Sequence, residues 1–96
     1  MSGDGGPVLV RTLTIRNRRG LHARAAAKFV TLAERYGASV EVVKDGQSVS
    51  ARSIMGLMML GAGIGATIEL QAEGWDAKEA IDALAALVEA GFNESD

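Results

Sequence analysis

The chain has 96 residues, enough for one small domain and too few for two ordinary hydrophobic cores. Its 48% hydrophobic and 23% charged residues exclude a disordered chain, and no apolar run approaches the ~18 to 20 residues of a membrane-spanning helix. The formal net charge of −2 is unevenly distributed, because residues 1–48 carry +4 and residues 49–96 carry −6.

Residues 1–7 are small and polar and predict a flexible N-terminal tail without the basic and apolar regions of a secretory signal. Because the chain also lacks cysteine, we expect a cytoplasmic protein with no disulfides. Residues 8–15 (VLVRTLTI) are rich in β-branched side chains and predict the first strand.

A helix is predicted over residues 23–36, and Gly37 is predicted to end it as the C′ residue. The apolar residues at helical spacing are Ala26, Phe29, Val30 and Ala33. Residues 39–44 and 47–51 predict two strands joined by a two-residue turn at Asp45-Gly46, because Asp-Gly adopts the positive φ angles of such a turn.

A short helix is predicted from Ser53, its N-cap, to about residue 60, and residues 61–65 (GAGIG) predict a turn. The clean alternation over residues 67–73 predicts a half-buried strand. Asp76 is then predicted to cap the last helix, with Glu79 as its capping-box partner and Gly91 ending it.

The resulting order is βαββαβα, with no internal repeat. We predict an α+β fold: an open-faced sandwich in which three helices cover one face of a four-stranded antiparallel sheet. The predicted domain covers residues 8–91, and residues 92–96 are expected to form a C-terminal tail.

The only histidine, His22, lies within the basic region and is predicted at the start of the first helix. Unpaired amide groups and the helix dipole favour an anion there, and the same field favours a neutral, nucleophilic imidazole. Arg24 adds a guanidinium suited to phosphate oxygens. These residues indicate covalent capture of a phosphoryl group. The alternative is an ordinary surface histidine with scattered arginines around it.

Residues 15–27 (IRNRRGLHARAAA) resemble the active-site signature of HPr, the histidine phosphocarrier family of bacterial phosphotransferase systems. Residues 53–61 (SIMGLMMLG) resemble that family's regulatory-serine segment, and residues 74–77 (GWDA) resemble the opening of its last helix. Ala25 stands where the family usually has proline, as in carriers of the nitrogen-related branch, and alanine also favours a helix.

The resemblance implies the same βαββαβα fold and a phosphocarrier with no metal or other cofactor. His22 would accept a phosphoryl group on Nδ1, as a pros-phosphohistidine, from phosphorylated enzyme I, and pass it to an enzyme IIA-type acceptor. Arg24 would steady the phosphoryl oxygens. The protein would act within a phosphotransferase chain, as a monomer in the cytoplasm, rather than as a stand-alone catalyst.

Ser53 has two interpretations, an N-cap serine or a regulatory site for HPr kinase/phosphorylase. The short helix after it carries too many apolar residues to bury them all. We expect an exposed partner-binding patch with an apolar centre and a basic rim, formed by Ala27, Lys28, Ile54, Met55 and Met58. The alternative is a fully buried cluster.

One competing function is a regulatory binding protein switched by phosphorylation of Ser53. The presence of His22 with Arg24 disfavours that as the sole role. Nucleic-acid binding is suggested by the arginines, but only 4% of the residues are aromatic and the strands lack the aromatic pairs of RNA-binding sheets. We therefore expect protein partners, with no nucleic acid and no membrane.

Overall fold

The computed structural model describes residues 7–95, which form four strands and three helices in the predicted order. The elements are β1 (Leu9–Thr14), α1 (Ala23–Ala33), β2 (Ser39–Lys44), β3 (Gln47–Ser50), α2 (Ile54–Met59), β4 (Thr67–Glu73) and α3 (Ala77–Glu89), with a 3₁₀ turn at Gly91–Asn93. Apart from Pro7, the predicted N-terminal tail lies outside the described residues. Within residues 7–95, no helix is both long and apolar enough to cross a membrane.

The sheet is antiparallel throughout, with the strand order β1-β4-β2-β3. β4 alternates as predicted, burying Ile68, Leu70 and Ala72 on one face. Its register sets Leu13 of β1 opposite Ile68 and Val42 of β2 opposite Leu70. These apolar side chains make one continuous layer, which the helices cover. Burying each large side chain stabilises the fold by ~1.5 to 3 kcal/mol. The order of the elements and the pairing of the strands confirm the predicted open-faced sandwich.

α1 ends at Ala33, earlier than predicted. The amides of Arg35 and Tyr36 donate to carbonyl groups three residues back, which tightens the chain after the helix. Gly37 is therefore not the C′ residue, and its φ is not positive. A Cβ atom at this position would lie 2.9 Å from Nε1 of Trp75, so glycine allows close contact with that ring.

The predicted capping box at the start of α3 is wrong. Asp76 occupies the N-cap position, but its side chain makes no capping hydrogen bond. Its carboxylate instead accepts from the amides of Gly37, at 2.9 Å, and Ala38, at 2.8 Å. Glu79 is exposed in the first turn of the helix. Asp76 thus ties α3 to the segment after α1, a long-range contact that local spacing does not reveal.

The residues after α3, 92–96, are the predicted C-terminal tail. Gly91 ends α3 with a positive φ, as predicted, but Phe92 follows with its side chain fully buried in the core. The carbonyl of Phe92 accepts from the ammonium group of Lys28 at 2.7 Å. We therefore propose that the folded domain extends through Glu94, whose side chain lies at the site described next.

Candidate functional site

His22 is the N-cap residue of α1, as predicted, and its backbone is extended. Its side chain makes no capping bond, and its carbonyl accepts from the amide of Ala26 at 2.8 Å. Among residues 7–95, the structure records no hydrogen bond from the amides of residues 23–25. Three amide donors and the positive end of the helix dipole therefore lie at the end of α1 that begins with His22.

The segment before His22 is fixed against the turn between α2 and β4. Gly20 has φ +62°, and a Cβ atom there would lie 2.2 Å from the carbonyl oxygen of Ala62. The buried Leu21 donates its amide to the same oxygen at 3.0 Å. The turn predicted at residues 61–65 therefore also packs against the loop that precedes His22. The residues before His22 are thus packed and hydrogen-bonded against Ala62.

Glu94, which lies in the predicted C-terminal tail, contacts the imidazole directly. One carboxylate oxygen, Oε2, hydrogen-bonds His22 Nε2, and the other, Oε1, accepts from Nδ2 of Asn17 at 3.0 Å. The side chains of His22 and Glu94 are only 17% and 12% exposed. The hydrogen bonds from His22 and Asn17, in that order, lower the pKa of Glu94 below its ordinary value. The carboxylate is therefore ionised at neutral pH.

Asn17 links the loop to this carboxylate. Its Nδ2 also donates to the carbonyl of Gly20 at 2.8 Å, so one buried amide group binds both the turn before His22 and the acid beyond it. Its Oδ1 is buried and finds no hydrogen-bond partner within residues 7–95. Such orphaned buried polar atoms are uncommon in folded proteins.

One cleft is lined by His22 and a second by its partner Glu94. The first, of about 290 Å³, is lined by Arg19, Leu21, His22, Met58 and residues 61–63. The second, of about 280 Å³, is lined by Arg19, Arg24, Lys28 and residues 93–95. The structure places Arg24 beside Glu94 in the second cleft. Arg19 lines both clefts, although the sequence analysis did not single it out from the basic region.

The predicted apolar patch lies on α2. Ile54, Met55 and Met58 are 40%, 71% and 42% exposed, while Leu57 is buried, so the alternative of a fully buried cluster is wrong. Met59, which was not assigned to the patch, is 70% exposed. Of these side chains, Met58 shares a cleft with His22.

The remaining predicted patch residues lie on α1 rather than on α2. Ala27 and Lys28 are half-buried and line a groove with Leu87 of α3. The ammonium group of Lys28 is bound to the carbonyl of Phe92. The structure therefore does not bring these two residues into the cleft that Met58 shares with His22.

Ser53 is the N-cap of α2, as its structural interpretation predicts. Its Oγ accepts from the amide of Gly56 at 2.9 Å, and the residue is half-buried. No group of three or more potential metal-ligating side chains is present within residues 7–95. The charged groups that the structure places around His22 are the carboxylate of Glu94 and the arginines of the two clefts.

The chain is similar to known phosphocarrier proteins. A family model described as the PTS HPr component phosphorylation site matches residues 9–90. Phosphocarrier protein HPr of Cupriavidus necator is 48% identical, covering 93% of this chain and 100% of that protein. Phosphocarrier protein NPr of Shewanella violacea is 47% identical, covering 91% and 96%. The crystal structure of HPr-C-His from Thermoanaerobacter tengcongensis superposes with a TM-score of 0.87 at 46% identity, covering 91% and 98%.

Proposed function

Because the chain belongs to the HPr family of phosphocarrier proteins of the phosphotransferase system, we propose that His22 is the residue on which it carries the phosphoryl group. The observation that supports this most directly is the position of the imidazole at the start of α1, beside three amides with no recorded partner. An imidazole is a good phosphoryl acceptor when one ring nitrogen keeps a free lone pair.

The step transfers a phosphoryl group between two side chains. The lone pair of Nδ1 of His22 attacks phosphorus, the N–P bond forms, and the bond to the donor atom breaks with its electron pair returning to the donor. Nε2 is already hydrogen-bonded to Glu94, and the ring contacts described within residues 7–95 are at Nε2 and not at Nδ1. Nδ1 is thus the nitrogen available for attack.

The three phosphoryl oxygens require positive charge and hydrogen-bond donors. The first-turn amides of α1 supply donors, and we propose that Arg24 contributes its guanidinium as the sequence predicts. Arg19 is a second candidate, because it lines the cleft that contains the histidine as well as the one that contains Arg24.

We propose phosphorylated enzyme I as the donor and an enzyme IIA-type protein as the acceptor, both meeting the carrier at the exposed face of α2. An apolar patch of flexible methionines suits a surface that binds more than one partner. The carrier would act as a cytoplasmic monomer. Its basic side chains near His22, such as Arg19 and Arg24, would attract acidic partner surfaces.

The proposal is tested by incubating the protein with enzyme I and labelled phosphoenolpyruvate. We expect label that is acid-labile and alkali-stable, as phosphohistidine is, and that disappears in His22→Ala. Circular dichroism of the variant controls for folding. Label that persists in His22→Ala, or none in the folded wild-type protein, would show that His22 is not the acceptor.

We also propose Ser53 as a regulatory phosphorylation site for HPr kinase/phosphorylase. Its hydroxyl is at the start of α2, where a phosphate is electrostatically tolerated, and it precedes the apolar patch directly. Acid-stable label that requires ATP and this kinase, and is lost in Ser53→Ala, would support the site. Ser50→Ala, a change at an exposed serine in β3, is the matched control.

A further inference from the structure

We infer that Glu94 is a positioning residue for phosphoryl transfer: it holds the proton of His22 on Nε2 and so directs the free lone pair to Nδ1. This inference rests on His22 being the phosphoryl acceptor. Glu94 lies beyond the helix that closes the fold, in a segment whose sequence suggested only a tail. Its carboxylate nevertheless contacts the imidazole 72 residues earlier in the chain.

A carboxylate that is ionised can only accept hydrogen bonds. The nitrogen facing it must therefore carry the proton, and in a neutral imidazole the other nitrogen then has the lone pair. Because Glu94 bonds Nε2, the contact selects the tautomer in which Nδ1 is the nucleophile. Without it, both tautomers of a neutral imidazole would be populated, and one of them cannot attack through Nδ1.

The carboxylate is itself held in place, as a positioning group must be. Asn17 binds its second oxygen at 3.0 Å, and Asn17 also binds the carbonyl of Gly20. On the other side, Phe92 is buried in the core and its carbonyl is bound by Lys28. The chain is thus anchored two residues before Glu94, and the carboxylate is anchored to the loop that presents the histidine.

The contact also suits the charge change during the reaction. When the lone pair of Nδ1 forms the bond to phosphorus, Nε2 keeps its proton and the ring becomes positively charged. An adjacent carboxylate stabilises that charge, and stabilisation that grows during the step accelerates it. When the phosphoryl group leaves for the next acceptor, the N–P electron pair returns to Nδ1 and the original tautomer is restored.

Glu94→Gln tests the inference with little change of shape, and Glu94→Asp tests rescue by a shorter carboxylate. Glu89→Gln, at an exposed acid in α3, is the matched control. The first readout is ¹⁵N NMR of the His22 ring nitrogens at a pH where the imidazole is neutral. We expect the Nε2–H form to dominate in the wild type and the Glu89 variant, and the Nδ1–H form to rise in Glu94→Gln.

The second readout is the single-turnover rate of phosphoryl acceptance from enzyme I. We expect Glu94→Gln to slow it about tenfold to a hundredfold, by analogy with the loss when the hydrogen-bond partner of a metal-ligating histidine is removed. The aspartate variant should recover part of both signals. A tautomer ratio in Glu94→Gln that equals the wild type, or a rate within about twofold of it, would overturn the inference. Absence of His22 label in the wild-type protein would instead overturn the proposed function.

Discussion

Gly20 faces the carbonyl oxygen of Ala62 so closely that a Cβ atom at position 20 would lie 2.2 Å from it. Gly20 also has φ +62°. Gly20→Ala should therefore combine overpacking against backbone with left-handed strain, a loss of about 2 to 4 kcal/mol of unfolding free energy. Urea denaturation measures the loss, and the loop before His22 should shift in NMR spectra.

The matched control for this change is Gly61→Ala. Gly61 has φ +65°, nearly the same backbone conformation, but a Cβ atom there would meet nothing within 4 Å. Only the conformational strain remains, so we expect a loss of about 1 kcal/mol. Equal losses in the two variants would contradict the close contact between Gly20 and Ala62.

Asp76→Ala should destabilise the protein by about 2 to 4 kcal/mol, because its buried carboxylate accepts two amide hydrogen bonds and the substitution leaves both donors unpaired. Glu79→Ala, which changes the expected capping-box partner, should stay within about 0.5 kcal/mol of the wild type. Thermal and urea denaturation of the two variants decide between these roles. A larger loss of unfolding free energy in Glu79→Ala than in Asp76→Ala would show that the predicted capping box is present after all.

Local pattern was enough to predict the fold. The alternation of β4, the Asp45-Gly46 turn and the glycine that ends α3 each depend on neighbours in sequence, and the structure confirms all three. The position of His22 as N-cap of α1 followed from the same kind of evidence. Where the determining contact is long-range, as for Asp76 and Gly37, the predictions were wrong.

The composition of the site was predicted only in part. His22 and the exposed methionines were identified from their motifs, whereas Glu94 was assigned to a tail because nothing local marks it. Its contact depends on Phe92, a lone aromatic after a helix-ending glycine. That residue is the one sequence signal that could have shown the chain returning to the core. Arg19 could not be told apart from the other arginines of the basic region by sequence alone.

Phe92→Ala tests whether the chain after α3 belongs to the folded domain. The side chain is fully buried, so its truncation should cost about 3 to 5 kcal/mol and should also release Glu94 from His22. Calorimetry measures the first effect and ¹⁵N shifts of the imidazole measure the second. Ser95→Ala, at an exposed residue just beyond Glu94, should change stability little. If Phe92→Ala left the free energy of unfolding nearly unchanged, residues 92–96 would be a tail outside the folded domain.

Met58→Glu should weaken binding of enzyme I at least about tenfold, because it places a charge at the centre of a partly exposed apolar surface beside His22. Met59→Glu is the control. It makes the same change on the same helix at a residue that does not line the His22 cleft. Titration calorimetry gives both affinities. If Met58→Glu left the affinity for enzyme I unchanged, or if both variants weakened it equally, the cleft beside His22 would have no specific role in binding.

The contact between Glu94 and His22 should also appear in the pH dependence of stability. The hydrogen bonds from His22 and Asn17 lower the pKa of Glu94 from its ordinary 4.5, so the folded state favours the ionised carboxylate. The resulting stabilisation is complete above pH 4.5 and disappears as the pH falls through the lower pKa of the folded state. The stability difference between wild type and Glu94→Gln, measured by urea denaturation at a series of pH values, should therefore shrink on acidification. The pKa of Asp82 is also lowered, by Lys78 and Arg11. Asp82 is present in both proteins, so its contribution cancels from the difference in stability. A stability difference that stays constant or grows as the pH falls would mean that these contacts do not stabilise the ionised carboxylate of Glu94.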